Sequence, residues 1–427
     1  MEVGAKVEIV SWLPVKSILR FRCVKKSWST LFQNPNFIAK HLHHQTKTKN
    51  PSILVQSSDL IGGYGISLHP YPDDNDDVVV GRIVDLKKDL GLVIMQQTIT
   101  INMFSCINGI IRIGGSFRAP GGCFHSFVLW NPAIRERKII SYPSLPGPPS
   151  RLLKPYNSKA FYAFGYDQYS NDYKVVRIVT YNKDSPPTQK SLFTDYYNFF
   201  QVFSLKAPFW APVIDTTLHR SNIRLLSPCY EVYFNGAHHW LGFFDNGHIN
   251  QLGEKCDCEI ILSFDMSHEV FRIMKLPDEV FRKLRYPVLD NVPRMQRVKD
   301  FCVFNDRLAF VVYKEDTVTE NYFDIWVMRE YGVEDSWTKL IVVGPLLGID
   351  RPLQFFNNGV LFLAGDDDAI AWYNISSNEI RNLRLPEFPE SFISIRAMVY
   401  VESLVSLTGV SQQKKKKIVS LTGGNVF

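Results

Sequence analysis

"WNPAIRERKIISYP" (130–143) recurs in outline as "FDMSHEVFRIMKLP" (264–277) and "YNISSNEIRNLRLP" (373–386). Each copy spans fourteen columns, with an aromatic first, Asn or Asp second, a basic residue ninth and Pro last. A strand ending in an aromatic, a polar turn and a second strand stopped by Pro fit this pattern. "FSLKAPFWAPV" (203–213) is a degenerate copy, with Phe203 in the first column and Trp210 in the eighth. "IWVMREYGVEDSWTKL" (325–340) is a longer one, from Trp326 to Trp337. First columns therefore stand 73, 61, 62 and 47 residues apart.

A second element precedes most copies: "CINGIIRI" (106–113), "YFNGAHHWL" (233–241), "VFNDRLAFVV" (303–312) and "FFNNGVLFLA" (355–364). Asn-Gly and Asn-Asp between apolar runs favour two-residue hairpin turns, whose central positions need positive φ. Hairpin after hairpin at this period predicts four antiparallel strands per unit, the blades of a β-propeller. A sandwich would show fewer strands and no repeat. The expected fold is mainly β, with a small helical module at 1–45 and a six-bladed propeller at 52–425. Residues 52–100 are expected to form the first blade. Strands near Ala397–Leu407 and Ile418–Leu421 should pair beside it and close the ring. "VSLTG" at 405–409 and 419–423 reads as a last hairpin, with the lysines of "VSQQKKKK" at its tip.

The N-terminus has a different period. In "LPVKSILRFRCVKKSW" (13–28), Pro14 suits the first position of a helix, where its missing N–H costs nothing. Ile18, Leu19, Phe21, Cys23 and Val24 fall on adjoining helical faces, and Trp28, Leu31 and Phe32 repeat the i, i+3, i+4 spacing. "NPNF" (34–37) breaks that helix, and Phe37, Ile38 and Leu42 indicate one or two further turns. A module of about 40 residues rarely sustains a core alone, so it is expected to dock onto something. Residues 9–58 hold eight Lys or Arg and no Asp or Glu, which suits an acidic partner.

Composition narrows the function classes. With 45% apolar and 13% aromatic residues the 427-residue chain is of the folded kind. Four of the six net positive charges come from Lys414 to Lys417, so no nucleic-acid footprint is implied. The seven cysteines are odd in number and scattered, and no apolar leader or stretch of about 18 apolar residues occurs. Free thiols in a reducing compartment follow: a cytoplasmic location, the nucleus also open, and no membrane. Cys256-Asp257-Cys258 resembles half a metal clamp without its other half. His238-His239 lies in a strand pattern, where neighbours face opposite sides and cannot converge on one ion. No GxSxG, HExxH, phosphate-cradling loop or Ser-x-Asp-x-Gly-x-Thr-Trp box is present. No catalytic residue, metal or cofactor is therefore expected. Aromatics in the first and eighth columns read as packing between blades.

Residues 13–28 resemble the F-box of plant F-box proteins, whose second and third helices often read close to this stretch; Ile18 replaces Leu and Lys25 replaces Cys. "GYDQYSNDYKVVRIV" (165–179), "ILSFDMSHEVFRIMKLP" (261–277), "DIWVMREYGVEDSWTKL" (324–340) and "YVESLVSL" (400–407) resemble the F-box-associated domain, most closely that of S-locus F-box and S-locus F-box-like proteins. The resemblance implies a substrate-receptor subunit, not itself an enzyme. In it the F-box docks on a Skp-type adaptor, and through it on a cullin and a RING subunit. Adaptor contacts would come from Leu13, Pro14, Ile18, Leu19, Val24, Trp28 and Leu31. The propeller would hold a protein substrate, in S-locus members a basic ribonuclease that the acidic stretches Asp73–Asp77 and Asp366–Asp368 could meet. Met1–Ala5 stand where the family carries Leu-Pro-Glu-Asp-Leu, and Trp12 where Arg is common. A truncated start or weakened adaptor binding follows, and the alternative is an adaptor-deficient relative that acts as a plain protein-binding module. If the C-terminal strands complete the first blade, deleting residues 396–427 should unfold the domain; a truncation that still melts cooperatively would contradict that pairing.

Overall fold

A computed structural model describes residues 2–47, 52–59, 64–69, 83–85, 98–119, 122–141, 156–183, 196–213, 223–225, 232–249, 255–277, 297–314, 321–356, 359–365, 370–383 and 392–407. Among them are four short helices followed by 25 strands in six antiparallel sheets, the blades of a propeller fold. β1 (Ser52–Asp59), β2 (Tyr64–His69) and β3 (Ile83–Asp85) open the first sheet. β4 (Thr98–Ile107), β5 (Ile110–Ala119), β6 (Gly122–Asn131) and β7 (Glu136–Ser141) form the second. The third holds β8 (Tyr156–Asp167), β9 (Asp172–Lys183), β10 (Tyr196–Ser204) and β11 (Trp210–Pro212). In the fourth, β12 (Ile223–Leu225) and β13 (Val232–Phe234) both pair with β14 (Ala237–Ile249), which leads to β15 (Lys255–Asp265) and β16 (Phe271–Lys275). β17 (Arg297–Phe304), β18 (Arg307–Lys314), β19 (Asn321–Met328) and β20 (Trp337–Leu346) make the fifth. β21 (Ile349–Phe355), β22 (Val360–Gly365), β23 (Ile370–Asn374) and β24 (Glu379–Leu383) make the sixth. β25 (Phe392–Tyr400) returns to the first sheet, beside β1.

Two turn chemistries build these sheets. The asparagine pairs close the first hairpins as anticipated: Asn108-Gly109, Asn235-Gly236 and Asn305-Asp306 all sit at positive φ, as a turn matched to strand twist demands. The fourteen-column repeat owes its second column to a side-chain cap. Asn131 Oδ1 accepts the Ala133 N–H (3.1 Å), Asp265 Oδ1 those of Ser267 (2.8 Å) and His268 (2.9 Å), and Asn374 Oδ1 those of Ser376 (2.9 Å) and Ser377 (3.3 Å). The sixth column, Arg135, Glu269 or Asn378, then turns left-handed at φ 56–58°. Asp167 caps the β8–β9 turn in the same manner, with Asn171 at φ 52°. Tyr166, Asp167 and Lys174 also fit the first, second and ninth columns of the repeat, and only its closing Pro is missing, replaced by Val179.

First and eighth columns face each other across the turn, as in Trp130↔Arg137, Phe264↔Phe271 and Tyr373↔Ile380. In the fifth sheet Trp337 pairs with Met328, so the first column there is Met328 and not Trp326. The turn at 329–336 is long enough to hold a 3₁₀ turn, Glu334–Ser336, and this lengthening moved the aromatic out of register.

The chain divides into two units, Met1–Tyr142 with Glu387–Phe427, and Pro143–Pro386. In the first, Leu54, Ile66, Met103, Ile111, Val128, Trp130 and Met398 form a core between the first two sheets. In the second, three clusters lie between successive sheets. Middle strands are covered on both faces, so β22 is buried along its whole length and reads as an unbroken apolar run. The C-terminal expectation holds only in part. The strand stops at Tyr400, and Val401–Leu407 leaves the sheet instead of extending it. Ile418–Leu421, the lysine run and both acidic stretches lie outside the described residues.

Val401–Leu407 passes close over the β4–β5 turn. A Cβ on Gly109 would stand 2.5 Å from Ser403 Cβ and 2.6 Å from the Val401 carbonyl, whereas one on Gly236 would meet nothing within 4 Å. Both glycines have φ +76°. Gly236→Ala should therefore cost only the left-handed strain, about 1 kcal/mol, and Gly109→Ala about 1–3 kcal/mol more. Urea unfolding of the two variants measures the difference, and equal losses would mean that the segment does not press on this turn.

Candidate docking site on the helical module

Four helices form the module: α1 (Glu2–Val10), α2 (Val15–Phe21), α3 (Lys26–Leu31) and α4 (Pro35–Thr46). "NPNF" starts a helix as well as ending one, because Asn34 Oδ1 accepts the Asn36 N–H at 2.8 Å and Pro35 occupies the first position. The resulting α4 has twelve residues, longer than the one or two turns expected. Pro14 is the residue before α2, not its first, and offers no side-chain acceptor there. Glu402 supplies one from the far end of the chain, its carboxylate accepting the Val15 N–H at 3.3 Å.

Val10, Val15, Ile18, Phe32 and Phe37 form the module's core together with Leu404. Leu13, Leu19, Trp28, Leu31 and Ile38 pack around it half-buried, as do Ala133 and Ile134 from the β6–β7 turn. Trp28 stands edge-on to Phe21 and Phe32, with centroids 5.2 and 5.8 Å away. Two histidines of α4 tie down the α1–α2 connection. His41 is buried with Nε2 2.9 Å from the Leu13 carbonyl; since a carbonyl only accepts, Nε2 carries the proton. Burial holds its pKa below the usual histidine value. His44 Nδ1 meets Ser11 Oγ at 2.9 Å, and its ring stacks on Trp12 at 4.0 Å.

This packing sorts the seven residues predicted for the adaptor. Ile18 has no exposed surface, so it belongs to the core and cannot itself touch a partner. Leu13, Leu19, Trp28 and Leu31 each keep a partly open edge, while Pro14 and Val24 are exposed, Val24 at 74%. Two further apolar residues of the module are exposed, Ile9 at 69% and Trp12 at 50%. They lie three apart, a helical spacing, just before residues 13–28. Lys16, Arg20, Lys25 and Lys26 of the module are exposed too, so its surface carries both apolar groups and positive charge.

Among the described residues no group of three His, Cys, Asp or Glu could hold a metal, and the side chains of Cys256 and Cys258 lie outside them. His238 and His239 are both buried: His238 packs on Trp240 at 4.4 Å, and His239 bonds Tyr331 Oη (2.9 Å) and the Val232 carbonyl (3.3 Å). Asp167, Lys174 and Glu269 join two capped turns, with Lys174 Nζ 2.9 Å from Asp167, 2.8 Å from Glu269 and 2.7 Å from the Met266 carbonyl. Burial alone would raise the Asp167 pKa, but the Ser170 and Ser267 hydroxyls and Lys174 hold it well below the usual carboxylate range. Among the described helices none is long and apolar enough to cross a membrane.

Residues 112–407 match the family of the F-box associated beta propeller domain. Among curated proteins, the chain is 26% identical to F-box protein CPR1 of Arabidopsis thaliana over 92% of this chain and 86% of that one. It is 25% identical to the F-box/kelch-repeat protein At3g23880 of the same plant over 93% of each. Among solved structures, the β-propeller domain of the Trilobed protease from Pyrococcus furiosus aligns with 80% of this chain and 97% of that one, at 8% identity and a TM-score of 0.34.

His239 makes the second unit acid-sensitive. Burial pushes its pKa down to about 4, against 6.5 when exposed. The unfolded chain then takes up this proton first, so stability falls as pH drops from about 6.5 toward 4. One such group costs about 2 kcal/mol between pH 7 and pH 5. His239→Gln should shrink the stability difference between those pH values by that amount in urea titrations; an unchanged difference would mean that His239 is protonated in the fold.

Proposed function

The chain belongs to the plant F-box proteins that carry the F-box associated β-propeller domain, and on that premise we propose that it is the substrate-receptor subunit of a Skp–cullin–RING ubiquitin ligase. The observation that carries this reading is the module's surface. With its core closed by Leu404, the module still leaves Ile9, Trp12 and Val24 open to solvent, as are Lys16, Arg20, Lys25 and Lys26. Such a surface suits an acidic adaptor with an apolar groove, and the half-open edges of Leu13, Leu19, Trp28 and Leu31 extend it. The receptor works by proximity: a substrate held on the propeller meets a charged conjugating enzyme at raised effective concentration, with no chemistry on this chain. A basic ribonuclease of the S-locus type is the first substrate to test, on the strength of the sequence resemblance.

The second reading, a binding module that no longer joins a ligase, is favoured by the leading residues. They differ from Leu-Pro-Glu-Asp-Leu and run into α1. Titrating a purified Skp-type adaptor separates the two. Wild type should bind weakly, and replacing Met1–Ala5 by Leu-Pro-Glu-Asp-Leu should tighten binding by about 10- to 100-fold, the worth of one or two buried side chains. Val24→Asp should weaken binding about tenfold with the melting temperature unchanged, because the site is exposed. Ile18→Asp instead tests folding of the module. No binding by any version, with substrate still captured, would establish the plain binding module.

A further inference from the structure

The module's core is not made by the N-terminus alone. Leu404 lies within it, only 6% exposed, among Val10, Val15, Ile18, Phe32 and Phe37. Two residues earlier, Glu402 accepts the Val15 N–H at the uncapped start of α2. The segment carrying both is gripped on its other side by the second sheet. Asn131 Nδ2 donates to the carbonyls of Ser403 (3.0 Å) and Val405 (2.8 Å). Glu136 Oε2 accepts from Ser406 Oγ (2.8 Å) and the Leu407 N–H (2.7 Å). Ser403 is fully buried between the two, and Ala133 and Ile134 of the same turn reach the module directly.

We infer that Val401–Leu407 is a strap that fixes the helical module in one orientation on the second sheet, and that Glu402 and Leu404 are positioning residues for adaptor docking. Neither need touch the adaptor. The strap makes one contact set with the module and another with the sheet, so it transmits position instead of only adding stability. A module without this second contact set would sample many orientations and lose part of its affinity to ordering on binding. A module held in place presents Ile9, Trp12 and Val24 at a fixed site relative to the first two sheets. This inference rests on the ligase reading only for its binding arm; the positioning arm stands without it.

The test uses the full chain carrying Leu404→Ser, Glu402→Gln or the conservative Leu404→Met. Spin labels go in as non-canonical amino acids at two exposed positions, Thr30 on α3 and Arg137 on β7. Wild type and Leu404→Met should give one narrow distance distribution. Leu404→Ser should broaden it while far-ultraviolet circular dichroism keeps its helical and strand signals. Affinity for a purified Skp-type adaptor should fall on the order of tenfold in Leu404→Ser and less in Glu402→Gln, and should return in Leu404→Met. A narrow, unshifted distribution in Leu404→Ser would overturn the strap. So would loss of affinity without broadening, which would make Leu404 a stabilising residue only. If wild type fails to bind adaptor, the ligase reading falls, and the distance measurement still decides the positioning claim.

Discussion

The side chain of Asn131 joins the second sheet to the C-terminal segment that reaches the helical module. Its oxygen caps the β6–β7 turn, and its amide nitrogen holds two carbonyls of the C-terminal segment. Aspartate could do the first but not the second, because an ionised carboxylate only accepts. Where the repeat carries Asp instead, the turn recruits donors: Asp167 takes up Ser267 Oγ, Ser170 Oγ and Lys174 Nζ. The same turn, with one atom exchanged, thus binds backbone acceptors in one sheet and hydroxyls and an ammonium in another.

Dependence on that contact spreads outward. The held segment delivers Leu404 and Glu402 to the helical module, which would otherwise lack a core residue and a cap for α2. A module of four short helices, the longest of twelve residues, gains little from helix propensity by itself. Its order comes from packing, part of which arrives from nearly 390 positions away. The first sheet has the same long closure, since β25 lies beside β1. Both ends of the chain are therefore needed to complete the first unit, and loop-closure entropy is met by contacts that form only when both are present.

Within the described part of the propeller, the conspicuous polar residues make contacts with the fold itself. His239 and the Asp–Lys–Glu cluster are bonded to neighbours in adjoining strands and turns, and His238 packs on the ring of Trp240. Sheets packed face on face bury polar side chains of middle strands, which must find partners in the protein. On the helical module, by contrast, Ile9, Trp12 and Val24 stay exposed, as do Lys16, Arg20, Lys25 and Lys26.

Local chemistry was legible in the sequence because it depends on neighbours in the chain. Asn-Gly pairs specified positive-φ hairpins, the Asn or Asp of the second column marked a polar turn, and the period of the copies specified the six sheets, five of them with four strands and the fourth with five. Helical spacing located the module and most of its core. What the sequence could not specify was which apolar residues of the module face inward. Ile18 and Val24 look alike in a helical pattern, yet one is enclosed and the other open, because burial is decided by what packs from elsewhere. The copy at Trp326 slipped by two residues for a related reason: turn length, not residue type, sets register across a hairpin. The strap was invisible for the same cause. "VESLVSL" reads as one more strand, and only the tertiary structure, in which Asn131 and Glu136 compete for its backbone and side chains, pulls it off the sheet and into the helices.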